Sequence, residues 1–264
     1  MSYTFYSFRN REEKDLEMWS NRTLEGETKS CETRTLCSVF NQYIPRGSKI
    51  IEAGCGMGGW VNYFRQKGYD IIGIEYDERV IKKALDFDSH IPIQYGDVNH
   101  LHFPNDTFNS YISLGVIEHF QEGPQKALLE ARRILKKNGL IFVTVPYLNL
   151  FRKLITHPLR DLYFFIRRLM GGNDYFWEYR YTKNEMLTFI SETGFKLIYI
   201  GIDDYIENDK KHHIGLYGDY FFLREKHGDI WELNKIGKII LRIGRLFSPW
   251  LFCSGIHIVA QNET

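Results

Sequence analysis

The stretch Ile-Ile-Glu-Ala-Gly-Cys-Gly-Met-Gly-Gly at residues 50–59 decides the fold of this chain. A short apolar strand runs into a glycine-rich turn, and the acidic residue Glu52 lies two positions before the first glycine. Glycine lacks a Cβ atom, so Gly54, Gly56 and Gly58 let the backbone turn sharply and approach a ligand closely. A helix that follows such a turn directs its free N–H groups and the positive end of its dipole toward that ligand. The stretch therefore predicts a ligand-binding turn between a strand and a helix.

Two classes of cofactor use such a turn, and Glu52 separates them. Gly54, Gly56 and Gly59 also satisfy the G-x-G-x-x-G fingerprint of dinucleotide binding, which is a weak signal on its own. The position of Glu52 is ordinarily a buried apolar residue in that fold, because a buried carboxylate is costly unless it is paired or faces a polar ligand. A cofactor with an amino-acid head group supplies an ammonium as partner. S-adenosylmethionine has that group and NAD does not, so the carboxylate favours S-adenosylmethionine.

The composition predicts one globular unit with one substantial core. The chain has 264 residues, of which 44% are hydrophobic and 25% charged, and its net charge is +1. A net charge so close to zero argues against a field that attracts nucleic acid over the whole surface. The four cysteines form no C-x-x-C pair, and the polar N-terminal stretch has no pattern of a cleavable signal. We therefore expect a cytoplasmic protein with free thiols.

Strands and helices are predicted to alternate along the chain. The predicted strands lie at 48–53, 69–75, 91–95, 111–115, 140–145, 195–202 and 256–261, and the predicted helices at 10–20, 29–43, 61–67, 78–86, 125–135 and 183–193. The helix at 183–193 begins with the capping box Thr182-x-x-Glu185. Alternation at this spacing indicates a parallel sheet that is covered by helices on both faces.

Two more carboxylates follow the next two predicted strands. Glu75 ends the second strand, where a carboxylate accepts both ribose hydroxyls. Asp97 follows the third strand, where an acid accepts from the adenine amine while the N–H of Val98 donates to the ring. Tyr76 either stacks on adenine or packs against the protein. Taken singly, Glu75 could be a solvated strand-end acid and Asp97 an ordinary turn residue. Together with Glu52 they lie where open parallel sheets bind ligands.

These motifs together resemble the class I S-adenosylmethionine-dependent methyltransferases, in particular the subgroup that acts on small molecules, quinones and lipids. The matching stretches lie at 52–58, 73–75, 96–97, 113–119, 135–140 and 145–146. The resemblance implies a Rossmann-like α/β fold with a seven-stranded, mostly parallel sheet whose last strand is antiparallel. It also implies a methyltransferase enzyme with S-adenosylmethionine as cofactor. The cofactor-binding residues that it implies are Glu52, Gly54, Cys55, Gly56, Gly58, Glu75, Tyr76, Asp97, Val98 and Leu114.

His119 is the candidate catalytic residue. The methyl group of S-adenosylmethionine is already activated by its sulfonium, so the protein has mainly to align acceptor, methyl group and sulfur. A base is needed only when the acceptor is a hydroxyl or a protonated amine, and a histidine beside Glu118 suits that task. The alternative is a residue that ties loops together at the start of a helix. We expect transfer to a small or amphiphilic molecule, at oxygen rather than at carbon or nitrogen.

The chain divides into an N-terminal helical cap at 1–46 and a cofactor-binding methyltransferase domain at 47–264, with insertions at 148–181 and 203–252. Within these insertions, segments 151–170 and 235–247 combine apolar residues at helical spacing with lysines and arginines. One interpretation is that both segments pack on the sheet or on each other and cover the active site. The other is a lid around an amphiphilic acceptor, or peripheral contact with an anionic membrane surface.

Other functions fit the sequence less well. An NAD(P)-binding oxidoreductase and a non-catalytic, membrane-associated protein that binds S-adenosylmethionine are the two alternatives. Nucleic-acid methylation is disfavoured, because the chain lacks an Asn/Asp-Pro-Pro-aromatic motif that would hold a flipped base. The histidine pairs at 100 and 102 and at 212 and 213 lack Cys or carboxylate partners at ligand spacing, so no metal site is predicted.

Overall fold

A computed structural model of the chain describes residues 2–10, 19–20, 22–203, 221–227 and 230–263. The strands, in chain order, are β1 (Tyr3–Ser7), β2 (Lys49–Ala53), β3 (Asp70–Glu75), β4 (Ile93–Tyr95), β5 (Phe108–Leu114), β6 (Leu135–Pro146), β7 (Tyr175–Arg180), β8 (Phe195–Asp203), β9 (Arg224–His227), β10 (Ile230–Leu233) and β11 (Gly255–Asn262). The helices are α1 (Leu24–Cys31), α2 (Leu36–Tyr43), α3 (Gly59–Gln66), α4 (Glu78–Phe87), α5 (Gln125–Ile134), α6 (His157–Leu169), α7 (Lys183–Glu192) and α8 (Lys235–Phe247). Shorter helical turns lie at Ile117–His119, Arg152–Thr156, Phe221–Leu223 and Pro249–Leu251.

Seven strands form one sheet in the order β4-β3-β2-β5-β6-β11-β8. Strand β2 pairs in parallel with both β3 and β5, whereas β11 runs antiparallel to both β6 and β8. Parallel strands that are buried on both faces need apolar side chains on both, and Ile50 and Ile51 in β2 are fully buried. The predicted Rossmann-like α/β fold, with its mostly parallel sheet and antiparallel last strand, is confirmed.

A hydrophobic core lies on each face of the sheet. On one face, α5 and α7 pack through residues such as Leu128 and Met186. On the other, α2 and α3 pack together, and the ring of Phe40 lies 4.8 Å from Trp60 and 5.2 Å from Phe142 between ring centroids. Because α3 is anchored in this way, its first residues stay directly behind the glycine turn.

The N-terminal region differs from the prediction. Tyr3–Ser7 is a strand that pairs antiparallel with β7, so these residues belong to a small sheet with the first insertion. The predicted helix at 29–43 is two helices, α1 and α2. They are separated at 32–35, where the Thr33 hydroxyl donates to the backbone oxygen of Ser30 and Arg34 turns away to bind Asp203. Most of the predicted helix at 10–20 lies outside the described residues.

Elsewhere the predicted elements are present with shifted ends. The capping box of α7 is confirmed, since the Thr182 hydroxyl accepts from the Glu185 backbone and the Glu185 side chain accepts from the Thr182 backbone. Within the range of β6, Asn138 has a φ of 62°, in the left-handed region that asparagine tolerates. The second insertion contains α8, as the apolar spacing at 235–247 predicts.

Helix α8 packs against the protein through its glycines. Gly237 and Gly244 are the buried positions of this helix, although glycine weakens a helix relative to alanine. A Cβ atom at Gly244 would lie 1.9 Å from Cε2 of Phe252, and one at Gly237 would lie 2.8 Å from the backbone oxygen of Leu223. The ring of Phe252 contacts Phe151 at 4.8 Å, so α8 and the first insertion share one small core.

We expect Gly244→Ala to destabilise the packing of α8. Alanine is better than glycine in a helix by about 1 kcal/mol. Overpacking a tight contact costs about 1–3 kcal/mol, and here the clash is with an aromatic ring. The change should lower the free energy of unfolding and speed amide hydrogen exchange in α8. The control is Ile243→Ala on the exposed side, for which we expect a change within about 0.5 kcal/mol. A Gly244→Ala protein as stable as the parent would contradict the close packing.

Candidate active site

Glu52 lies buried in the middle of the sheet. Its side chain is 4% exposed, and its register partners are Gly73 in β3 and Ile112 in β5. Atom Oε2 has no hydrogen-bond partner among the described residues. Burial raises the pKa of the Glu52 carboxyl well above its ordinary value near 4.5, although a backbone hydrogen bond from Val61 and the nearby Arg34 guanidinium act in the opposite direction. The sheet therefore holds an acceptor oxygen directly below the glycine turn without giving it a partner.

The glycine turn follows from the backbone angles that it must adopt. Gly54, Gly56 and Gly58 have φ values of 79°, 55° and 79°, in the left-handed region that side chains disfavour. The N–H groups of Gly54 and Cys55 both donate to the backbone oxygen of Ile74, at 2.8 and 2.9 Å. These two N–H groups are therefore used to tie the turn to β3. What the glycines provide to a ligand is close approach of the backbone.

Glu75 holds the same turn from the neighbouring strand. Its Oε2 accepts from the N–H of Gly56 at 2.8 Å. Its Oε1 accepts from the N–H groups of Tyr76 and Asp77 at 2.8 and 3.0 Å. A carboxylate has about four lone-pair positions, two on each oxygen, so these three bonds leave acceptor capacity on Oε2. Glu75 is thus fixed in one orientation at the carboxyl end of β3.

The remaining predicted cofactor residues surround this turn. Asp97 is exposed and its Oδ1 accepts from the backbone and side chain of Asn99, at 2.8 and 3.0 Å. Val98 is buried in the core. Tyr76 is 70% exposed, and its ring centroid lies 6.1 Å from that of Tyr95. The structure therefore leaves an open aromatic surface beside Glu75, and Tyr76 does not pack into the protein interior.

The stretch after β5 closes the other side of the turn. Leu114 is half-buried at the end of the strand, and a Cβ atom at Gly54 would lie 2.3 Å from Cγ2 of Val116. In His119, ring atom Nδ1 lies 2.7 Å from the backbone oxygen of Trp177. A carbonyl oxygen only accepts, so Nδ1 carries the proton and a neutral ring has its lone pair on Nε2. Strand β7 thus fixes the orientation of His119.

Two residues near the site were missed by the sequence analysis. Arg34, from the turn between α1 and α2, binds Asp203 at 2.7 Å and lies close enough to Glu52 to affect its pKa. The ring of Trp19 lies over Gly56, because a Cβ atom there would be 2.4 Å from Trp19 Cη2. Lys83 donates to the backbone oxygen of Trp19, which fastens this segment to α4. Neither residue lies in a recognisable motif, so only the fold reveals their position.

Among the described residues, no group of three or more His, Cys, Asp and Glu side chains lies close enough together to hold a metal ion. The rings of His100 and His102 lie 5.0 Å apart at the surface end of the site. The pair at 212 and 213 lies outside the described residues.

Comparison with known proteins identifies the central region. Residues 51–143 match the family described as a methyltransferase domain. The central third of the chain is thus similar to a methyltransferase domain. A probable S-adenosylmethionine-dependent methyltransferase of Mycolicibacterium smegmatis is 27% identical over 100 residues, which are 38% of each protein. The 2-methyl-6-phytyl-1,4-hydroquinone methyltransferase 1 of rice chloroplasts is 41% identical over 107 residues, which are 38% of this chain and 31% of the rice protein. The match thus spans well under half of the length of these relatives.

The fold is shared with solved structures over a longer stretch of the chain. A crystal structure of an S-adenosylmethionine-dependent methyltransferase from Methanosarcina mazei superposes with a TM-score of 0.58 at 16% identity, over 84% of this chain and 96% of that one. The methyltransferase domain and this fold together imply S-adenosylmethionine as the cofactor. The residues present fit that group, because a buried carboxylate oxygen without a partner lies under a turn that only glycines can form.

Glu52→Gln is expected to stabilise the cofactor-free protein while weakening cofactor binding. A raised folded pKa means that the stability contributed by Glu52 is fully present below its unfolded pKa near 4.5 and is lost as the pH rises through the folded pKa. Glutamine avoids that loss, so the variant should gain about 1 kcal/mol or more near pH 8 and converge with the parent in acid. Thermal melts across pH, with calorimetric titration of S-adenosylmethionine, measure both effects. A gain that does not depend on pH would contradict this account.

Glu75→Ala is expected to weaken binding of S-adenosylmethionine by about tenfold or more, because hydrogen bonds to a charged group contribute about 1.5–3 kcal/mol. The substitution also frees the N–H of Gly56 and loosens the turn. Isothermal calorimetry measures the affinity, and Glu192→Ala, an exposed acid at the end of α7, is the control. Unchanged affinity in Glu75→Ala would reject the ribose assignment.

Proposed function

We propose that this protein transfers the methyl group of S-adenosylmethionine to a small or amphiphilic acceptor, at an oxygen atom. The observation that carries the proposal is the buried Glu52 oxygen without a partner beneath the glycine turn of a methyltransferase domain. An ammonium is the partner that such an oxygen lacks, directly or through a water molecule. NAD offers no such group.

The proposed roles of the cofactor residues follow their places at the strand ends. Glu52 binds the ammonium, Gly54 to Gly58 let the backbone lie against the cofactor, and Glu75 accepts the ribose hydroxyls. Asp97 accepts a hydrogen bond from the adenine amine, and the N–H of Val98 donates one to the adenine ring. Tyr76 offers its exposed ring for stacking. Cys55 and Leu114 line the turn and the end of β5. When bound, the cofactor supplies an activated methyl group, and the protein supplies alignment and exclusion of water.

The proposed base is His119. Its Nδ1 is held by the backbone oxygen of Trp177, and in the neutral ring this leaves Nε2 as the proton acceptor. A hydroxyl acceptor needs such a base, since the neutral oxygen becomes a strong nucleophile only as its proton leaves. This requirement is the reason for proposing oxygen as the methylated atom.

The acceptor class is proposed from the surroundings of the site. The rings of Tyr147 and Trp250 lie 5.7 Å apart just beyond the end of β6, and Trp177 lies beside His119. These aromatic residues favour an acceptor with an apolar body. The name of the rice relative, a hydroquinone methyltransferase, agrees with this class. With an amphiphilic acceptor we also propose peripheral membrane contact through segments 151–170 and 235–247 of a cytoplasmic protein.

The test is an assay of methyl transfer from labelled S-adenosylmethionine to a panel of phenols, hydroquinones and amines. We expect transfer to hydroxyl compounds. Binding of S-adenosylmethionine without transfer to any member of a broad panel would favour a non-catalytic protein. Binding of NADH in place of S-adenosylmethionine would overturn the proposal.

His119→Ala should reduce turnover on a hydroxyl acceptor by about a hundredfold or more, with unchanged affinity for S-adenosylmethionine. The pH dependence of kcat/KM should also lose the limb that the deprotonation of this base contributes. His102→Ala is the control, since it changes a histidine outside this contact. Full turnover in His119→Ala would show that the residue only ties the loop to β7.

A further inference from the structure

Helix α8 presents most of its large apolar side chains to solvent, whereas Ile240 and Leu241 are half-buried against the small core. Five of them form a set that we call the apolar stripe, and their exposed fractions are 62% for Ile236, 59% for Ile239, 52% for Ile243, 82% for Leu246 and 83% for Phe247. A helix on a globular protein ordinarily turns such residues inward. In α8 the buried positions are instead the two glycines, which fit the narrow space against Phe252 and Leu223. Because the side with the two glycines packs against the protein, these five apolar residues face solvent.

The basic residues of α8 form a second stripe beside the first. At about 100° per residue, the apolar stripe covers one arc of the helix surface, the glycines cover another and the bases cover the third. The basic stripe consists of Lys235, Lys238, Arg242 and Arg245, all of them exposed. No acidic residue occurs between 235 and 253. The exposed surface of α8 is thus half apolar and half cationic.

We propose that this face of α8 docks on an anionic lipid bilayer, with the apolar stripe inserted at the boundary of headgroups and acyl chains and the basic stripe among the headgroups. Helices that lie in a membrane interface have this division, with lysine and arginine flanking a row of large apolar residues. Each cation near an anionic leaflet adds to the attraction. No described helix is long and apolar enough to cross a bilayer, so the docking is peripheral.

Charge favours lipid over a second copy of the chain. If two α8 helices paired through their apolar stripes, each would bring four cations and no acid to the border of the contact. Like charges that meet at an interface oppose association. An anionic bilayer supplies many negatively charged headgroups for the basic stripe and an apolar interior for the apolar stripe.

The neighbouring insertion extends the apolar surface. Segment 150–170 exposes large apolar side chains over more than one face, among them Leu159, Leu162 and Leu169, at 60%, 56% and 73%. Phe151 at its start contacts Phe252, against which α8 packs. The two insertions are therefore joined through this small core.

The docking face lies beside the edge of the sheet where the acceptor is proposed to bind. Helix α8 ends at Phe247, and the turn that follows places Trp250 on Tyr147, directly after β6. This step rests on the proposed function: an amphiphilic acceptor could pass from the bilayer to the site without crossing bulk water. The docking itself does not depend on methyl transfer.

Sedimentation of the full chain with lipid vesicles tests the docking. We expect binding to phosphatidylcholine vesicles that contain about 30% phosphatidylserine, little binding to pure phosphatidylcholine, and weaker binding as salt rises. The double variant Leu246→Ser/Phe247→Ser and the double variant Lys238→Gln/Arg242→Gln should each bind about tenfold more weakly. Leu129→Ser, which removes an exposed leucine from α5, should bind as the parent does.

The outcomes separate the possibilities. Affinity for S-adenosylmethionine, measured on the same samples, should be equal in all these proteins, which shows that they are folded. A parent that binds neither kind of vesicle overturns the docking and leaves the proposed methyl transfer standing. A dimer in sedimentation velocity that Leu246→Ser/Phe247→Ser converts to monomer would show that a second copy covers the stripe, and would also overturn it. Vesicle binding without affinity for S-adenosylmethionine would overturn the proposed function alone.

Discussion

The parallel pairing of β2 with β3 and β5 is the constraint on which the candidate site depends. It places Glu52 opposite Gly73, where the lack of a side chain leaves room for Cys55 and Val61 to pack behind the turn. It also brings the end of β3 to the glycine turn, so that one carbonyl oxygen, that of Ile74, receives two successive N–H groups of the turn. The positions of Glu52, of the glycine turn and of Glu75 relative to one another follow from this register.

Glu52 and α8 show the same conflict between stability and function in two different forms. A buried carboxylate without a full set of partners lowers stability, and so do two glycines inside a helix. In each case the folded chain retains a feature that lowers the stability of the isolated protein. The same feature favours the proposed binding, of the cofactor at Glu52 and of a membrane at α8. Such departures from what stability alone requires are concentrated at functional sites. The apolar packing on the two faces of the seven-stranded sheet supplies the stability that both features reduce.

The sequence predicted the sheet and the cofactor edge well, because both depend on short local patterns. Apolar runs ending in Gly54, Glu75 and Asp97 have one simple arrangement in a parallel sheet. The positions of Trp19 and Arg34 depend on how distant segments pack, and no local pattern encodes that. The amphipathic spacing of residues 235–247 predicted helix α8 correctly, but it did not show which side of the helix packs against the protein. Spacing shows which residues share a face, whereas the glycines decide which face the protein covers.

The pairing of β1 with β7 has a consequence for His119. Strand β7 contains Trp177, whose carbonyl oxygen holds the imidazole, and β7 is itself held along one edge by residues 3–7. The orientation of a side chain in the middle of the chain is therefore set by the first few residues. Removing these residues, or attaching a bulky group to them, would leave the cofactor turn intact and disturb the proposed base. The N-terminal strand thus supports the position of the proposed base, although it contributes no side chain to that contact.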